Sequence, residues 1–257
     1  MNILKNNHNF YVNGLYSMNW FSNNKLDTWE QDTFQVLEYY KNKKDGIYID
    51  IGAWIGPTVL YAANIFSKVL AIEPDPIALE RLEENLKVNN FKNINVIKKA
   101  LSNSNSKSKF GGNGELGNSE STLLVSYDDY SSWGGHRSKT ERELDIIEVE
   151  TITIETLLLQ QNIIPSYISL IKMDIEGGEL ILVPYLKNFL KEYKPVFYIS
   201  LHYGFLKEEH IILIIDILFD IYDDNCYTFS EDGIKQQISK QEVIELKKNS
   251  IVFEKLQ

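Results

Sequence analysis

One cysteine in 257 residues, Cys226, rules out an intramolecular disulfide and any thiolate metal cluster within the chain, and fits a reducing compartment. The first ten residues, Met1 to Phe10, lack the apolar run of a signal peptide. The longest apolar stretch, Ile211 to Ile221, is too short and too charged to span a bilayer. The expectation is a soluble, cytoplasmic protein without a membrane span. Positive charge is also scarce: 26 Lys and Arg face 36 Asp and Glu, a formal net charge of −10. A nucleic-acid backbone would be repelled unless a local patch overrode that average. The lysines at 41–44 and Lys98-Lys99 are short clusters that read as solvated surface, so nucleic acid is not an expected partner.

What is present is enough apolar residue, 44%, for one large α/β core, and length alone does not demand two domains. The organising stretch runs from Gly46 to Thr58. Ile47, Ile49 and Ile51 alternate as in a core strand, Gly52 and Gly56 form a turn, and Pro57 suits the first turn of a helix. Gly52, lacking a Cβ, would let a bound molecule approach the backbone, while Gly56 permits either an unusual φ or tight packing of the helix on the strand. A second apolar strand, Val69 to Ile72, ends in Glu73-Pro74-Asp75, with Glu73 lying 23 residues after Asp50. That is close to the spacing at which an acid grips ribose hydroxyls in nucleotide-binding βαβ units. Ala53 and Trp54 stand where a third glycine would shelter a pyrophosphate, and the helix after Pro57 has no early basic residue. The ligand expected is therefore an adenosine without a diphosphate, such as S-adenosylmethionine.

Four blocks then resemble the FkbM-type S-adenosylmethionine-dependent methyltransferases: Tyr48 to Gly56, Ala71 to Pro76, Ala100 to Ser102, and Ile171 to Glu179. The resemblance implies a class I methyltransferase fold: α/β and Rossmann-like, a mostly parallel seven-stranded sheet with helices on both faces and an antiparallel C-terminal hairpin. It implies S-adenosyl-L-methionine as cofactor, held by Asp50, Gly52, Ala53, Gly56, Thr58, Glu73, Pro74, Asp75, Ala100 and Asp174. It also implies methylation of a hydroxyl on a sugar, glycan or related natural product.

The chain divides into an extension at 1–45 and a catalytic domain at 46–257, with an irregular insertion at 103–143. Phe10, Tyr11, Tyr16, Trp20 and Phe21 are too aromatic for a disordered tail, so the extension should pack. A helix is expected from Asp27 or Thr28 to about Asn42. A third strand should run from Ile94 to Ala100, and the Ser-, Asn- and Gly-rich insertion reads as a substrate lid. Tyr167 to Asp174 is a buried strand with Lys172 and Asp174 on one face; Glu176 lies just past its end, and Gly177-Gly178 turn into a helix from Glu179. A fifth strand, Phe197 to His202, would bring His202 near Asp174.

His202 is the first candidate for general base, with Asp174 or Glu176 orienting it and Lys172 holding the acceptor oxygen or pairing with Asp174. No metal is assigned, the alternative being a divalent ion held by Asp174, Glu176 and His202. His136 sits in the insertion without a fixed partner, and His8 and His210 read as structural. Two other classes stay open: a nicotinamide oxidoreductase, for which a three-glycine fingerprint and a Tyr-Lys pair are missing, and a catalytically silent nucleoside-binding scaffold.

Overall fold

The computed structural model describes residues 1–22, 25–41, 46–112, 115–126 and 146–255. The chain opens with an antiparallel hairpin, β1 (Asn2–Lys5) and β2 (His8–Tyr11), and three helices, α1 (Leu15–Ser22), α2 (Lys25–Thr28) and α3 (Gln31–Tyr40). The single helix expected over 27–42 is thus two. The break falls at Trp29 and at Glu30, which takes a left-handed φ of 41° just before α3.

The alternating isoleucines then form β3 (Ile47–Ile51). After Gly56, which takes a φ of 91° and caps the next helix, Pro57 opens α4 (Pro57–Ala62) at its first position. There follow β4 (Lys68–Ile72), α5 (Pro76–Lys87) and β5 (Ile94–Ile97). Asp75 starts α5 as a side-chain cap, accepting from Ile77 N at 2.8 Å and Ala78 N at 3.1 Å.

The expected third strand ends at Ile97. Ala100–Leu101 is instead β6 of a second, four-stranded sheet, which continues through β7 (Lys107–Gly112), β8 (Ser121–Thr122) and β9 (Ile147–Ile152) in the order β6-β9-β7-β8. The first part of the insertion is therefore regular structure. Residues 127–143 of the expected lid, His136 included, lie outside the described residues.

Helix α6 (Ile154–Gln160) leads to β10 (Ile168–Met173), α7 (Glu179–Tyr193), β11 (Val196–Ser200) and α8 (Glu208–Tyr222). The chain closes with β12 (Cys226–Phe229), β13 (Lys235–Gln237), α9 (Lys240–Glu245) and β14 (Ser250–Phe253). The main sheet runs β13-β12-β14-β11-β10-β3-β4-β5. Strands β11, β10, β3, β4 and β5 are parallel, and β14 pairs antiparallel with both β11 and β12. The expected seven strands are all present, and the short β13 adds an eighth at the edge. The fold is the class I methyltransferase arrangement, α/β with antiparallel strands at its C-terminal end.

Side chains alternate across the sheet, so one strand feeds two cores. Ile47, Ile49 and Ile51 face a cluster with Leu157, Leu182, Leu186, Ile214 and Leu218, from α6, α7 and α8. Tyr48 points the other way, into a cluster where Phe10, Phe21, Phe34 and Leu37 pack with Val59, Tyr61 and Leu82. The amino-terminal segment thus supplies about a third of the second core. No helix among the described residues is long and apolar enough to cross a membrane.

Candidate active site

In parallel α/β sheets, ligands gather where strand order reverses, at the carboxyl ends of the strands. Here β3 lies between β4 and β10, and its neighbours are reached by crossovers of opposite direction. The register puts Asp50 beside Lys172, and Lys172 beside Tyr198, in one row across the sheet. Lys172 Nζ lies 3.5 Å from Asp50 Oδ1 and 3.0 Å from Asp174 Oδ2. Thr58 donates to the other Asp50 oxygen. Burial alone would strip the charge from Lys172, but Asp174 and Asp50 outweigh it and hold the ammonium well above its ordinary range. Asp50 and Thr58 are both buried; Asp50 braces the floor of the site, and Thr58 lies in the wall of one of the two pockets that meet there.

Two pockets meet at this floor. The first, with about 570 Å³ of empty volume, is bounded by Gly52, Trp54, Ile72, Glu73, Ala100, Leu101, Phe110 and Leu123, and includes Pro74 and Asp75 in its wall. Its apolar sides come from both sheets. Glu73 accepts from Trp54 N and from Asp75 N, each at 2.8 Å, one bond per oxygen. Each oxygen keeps a second lone pair. Burial pushes the Glu73 carboxyl up to about 7, against the pull of those two backbone donors. The second pocket, about 1610 Å³, is lined by Trp20, Trp29, Glu30 and Asp32 from the amino-terminal segment, by Lys172 and His202, and by Lys248 to Ser250 before and on β14. Gly52, Trp54, Ser119, Asp174 and Glu176 belong to both.

At the seam, His202 Nε2 lies 3.1 Å from Asp174 Oδ1 and 3.5 Å from Glu176 Oε2, while Nδ1 lies 3.0 Å from Glu179 Oε1. Burial opposes a charge on the ring, but Glu179 and Asp174 prevail and raise His202 well above its ordinary 6.5. Asp174 is also buried, yet Lys172 and His202 pull it below the usual carboxylate range. Glu176 is pushed up to about 8 by burial, helped by Asp174 and Glu179 and opposed by His202. The expected meeting of Lys172, Asp174, Glu176 and His202 therefore holds. His202, the candidate base, has both ring nitrogens within reach of carboxylates: Asp174 and Glu176 at Nε2, and Glu179 at Nδ1.

Two glycine arguments change. A Cβ on Gly52 would stand 1.9 Å from the Asp174 carbonyl oxygen, and φ there is 90°. Gly52 is required by the neighbouring chain before any ligand arrives. Gly56 has the expected unusual φ, 91°, but its close neighbour is helix α5 rather than a strand: a Cβ would fall 2.5 Å from Leu82 Cδ1. Ala53 is buried in the second core, so it and Gly56 shape the turn from behind. The carboxylate of Asp75 is committed to the α5 cap and to Gly117 N at 2.7 Å; it fixes the pocket wall. Trp54 Nε1 and Arg81 Nη1 both donate to Gly117 O, at 3.0 and 2.6 Å.

Residues 1–45 had offered no candidate, yet they contribute Trp20, Trp29, Glu30 and Asp32. Thr33 Oγ1 donates to Glu30 Oε2 at 3.1 Å and lies 2.7 Å from the Tyr198 hydroxyl, which ties that segment to β11. Burial and Asp174 push Glu30 up to about 8, with Lys172 opposing. One sequence signal could have pointed there: two acids and a tryptophan close together before an amphipathic helix.

The lining of the first pocket suits an adenosyl cofactor in chemistry. Apolar surfaces from two sheets offer a slot for a flat base, and Glu73 presents free lone pairs at the strand end. Residues 50–227 match the Methyltransferase FkbM domain. A protein of Methanocaldococcus jannaschii described as uncharacterized is 39% identical over 82 residues, 30% of this chain and 32% of that one, so the chain spans about a third of its length in the match. Among solved structures, the methyltransferase FkbM of Methylobacillus flagellatus is 19% identical over 81% of this chain and 43% of that chain, with a TM-score of 0.48. A putative methyltransferase of Streptococcus mutans, solved with S-adenosylhomocysteine, is 12% identical over 88% of this chain and 98% of that chain, with a TM-score of 0.44. The domain match covers well over half of the sequence, and the chain belongs to the FkbM family of S-adenosylmethionine-dependent methyltransferases.

Proposed function

We propose that the protein moves a methyl group from S-adenosylmethionine to a hydroxyl of a sugar, glycan or related natural product. The observation that carries this reading is the pair of pockets that meet at Asp174 and Glu176, one suited to an adenosine and the other walled by aromatic rings and carboxylates. S-Adenosylmethionine, when bound, supplies a methyl group already activated on a sulfonium. The chain's own tasks are to align an acceptor oxygen and to take its proton. Alignment contributes of order 7 to 11 kcal/mol in favourable cases, and proton removal about 10²- to 10⁴-fold.

Glu73 would hold the ribose hydroxyls through its unused lone pairs, with Ile72, Leu101 and Phe110 against the base. Trp20 and Trp29 offer apolar faces to a sugar ring, while Glu30, Asp32, Asp174 and Glu176 accept from its hydroxyls. Such a wall of hydrogen-bonding carboxyl groups suits a polyol. The acceptor proton leaves to a carboxylate at the seam, and His202, gripped by Glu179, keeps Asp174 and Glu176 in place for it. Family membership disfavours the nicotinamide oxidoreductase.

The test is incubation with S-adenosylmethionine and a panel of neutral sugars, amino sugars and sugar phosphates, with mass spectrometry of the products and assay of S-adenosylhomocysteine. A methyl ether on a neutral sugar is expected. Methylation confined to an amine would overturn the hydroxyl assignment, and cofactor binding without any transfer across the panel would favour the silent scaffold.

A further inference from the structure

The side chains at the seam carry a demand that their own protons do not meet. His202 Nε2 has one N–H at most, yet two carboxylate oxygens face it, at 3.1 Å from Asp174 and 3.5 Å from Glu176. One proton satisfies one of them in full. The other receives no proton from that ring.

The spacing suits a cation. Ligand atoms of a common octahedral ion at about 2.1 Å are about 3 Å apart along each edge; the separations of 3.1 and 3.5 Å both lie slightly above that value. One donor atom from each of Asp174, Glu176 and His202 lies within 4.8 Å of the others.

What stands behind these donors is the second observation. The far nitrogen of His202 bonds at 3.0 Å to Glu179, a fully buried carboxylate, which fixes the ring orientation and would set Nδ1 as the protonated nitrogen, freeing Nε2 as a donor. A carboxylate behind a histidine is the usual outer support of a metal-bound imidazole. Asp174 is supported likewise: Lys172 takes Oδ2 at 3.0 Å and leaves Oδ1 toward the pocket.

We infer that Asp174, Glu176 and His202 form a binding site for a divalent cation, Mg²⁺ or Mn²⁺, at the junction of the cofactor and acceptor pockets. Two hard carboxylate oxygens with one imidazole nitrogen suit these ions, and an octahedral ion held by three protein donors would keep three positions for water or an acceptor oxygen. For its chemical use the site rests on the O-methyltransferase reading: a cation there lowers the pKa of an acceptor hydroxyl bound to it. The acceptor oxygen then forms its bond to the methyl carbon as the sulfur–methyl bond breaks, its electron pair returning to sulfur, and the hydroxyl proton passes to solvent or a carboxylate. The binding site itself does not depend on that reading.

The experiment uses the full chain, stripped with EDTA, and Mn²⁺ as the probe. Loss of the free Mn²⁺ electron paramagnetic resonance signal counts bound ions without cofactor or acceptor, and methyl transfer is measured in parallel. One Mn²⁺ per chain is expected. Glu176→Gln and His202→Gln should weaken it at least tenfold, and Glu179→Gln about ten- to a hundredfold, with the fold checked by circular dichroism. Absence of saturable binding, or binding that Glu176→Gln and His202→Gln leave unchanged, would overturn the site. Mn²⁺ bound as expected with no transfer to any sugar keeps the site and defeats the acceptor reading. Transfer that persists in EDTA without Mn²⁺ binding does the reverse.

Discussion

Glu73 offers a direct test of the cofactor pocket, because its burial has a thermodynamic signature. Its carboxyl is pushed up to about 7 from an ordinary 4.5. A raised folded-state value means that the native protein binds more protons than the unfolded chain between those two points, so stability falls as pH rises through the interval. Each pH unit there removes about 1.4 kcal/mol, roughly 3 kcal/mol over the whole window. Glu73→Gln keeps the shape and does not titrate. It forfeits one of the two backbone bonds at Trp54 N and Asp75 N, a constant cost of about 1–3 kcal/mol.

Urea unfolding of both proteins from pH 4.5 to 8 separates the constant term from the titrating one. The wild type should lose about 3 kcal/mol relative to the variant across the window, whatever the offset. Ribose hydroxyls donate to the ionised carboxylate, so S-adenosylmethionine affinity of the wild type should rise severalfold through pH 7 while the variant stays flat. Parallel stability curves would show an ordinary carboxylate at Glu73 and refute the argument from burial.

Gly52→Ala should destabilise the cofactor-free protein by about 3 kcal/mol or more, a fall of roughly 6–12 °C in Tm, because its Cβ meets the Asp174 carbonyl; scanning calorimetry decides, and an unchanged Tm would restore Gly52 to a ligand-approach role. Glu30→Gln and Trp29→Ala should raise the acceptor KM severalfold and leave the cofactor Kd unaltered, as measured by turnover and calorimetric titration. Asp75→Ala removes both the α5 cap and the Gly117 tie, so it should cost about 1–2 kcal/mol and also weaken the cofactor, although its carboxylate need not touch it.

The parallel core was legible because its strands are short apolar runs bounded by glycine, proline and acids, and each such boundary marked a strand end. The seam was legible for the same reason: alternation placed Lys172 and Asp174 on one face and His202 at the end of the neighbouring strand, which in the structure stops two residues earlier, at Ser200. The second sheet was not. Lys107 to Gly112 is polar and glycine-bearing, and it is held by backbone pairing with β9, forty residues away in sequence, a contact that leaves little local trace. Glu30 escaped for another reason. Its importance comes from a left-handed backbone that aims it across the sheet at Lys172 and Asp174, and no spacing rule encodes that direction. Gly52 was noticed, but its closest neighbour belongs to a strand more than a hundred residues later.

The two pockets take their outer walls from different parts of the chain: β7 and the turn after β8 on the cofactor side, and the segment before β3 on the acceptor side. Under the proposed reading, substitutions confined to Trp29, Glu30 and Asp32, which line the second pocket and not the first, would remodel what is recognised while the donor's berth keeps its walls. The core residues of the same segment are bound to the fold and do not share that freedom.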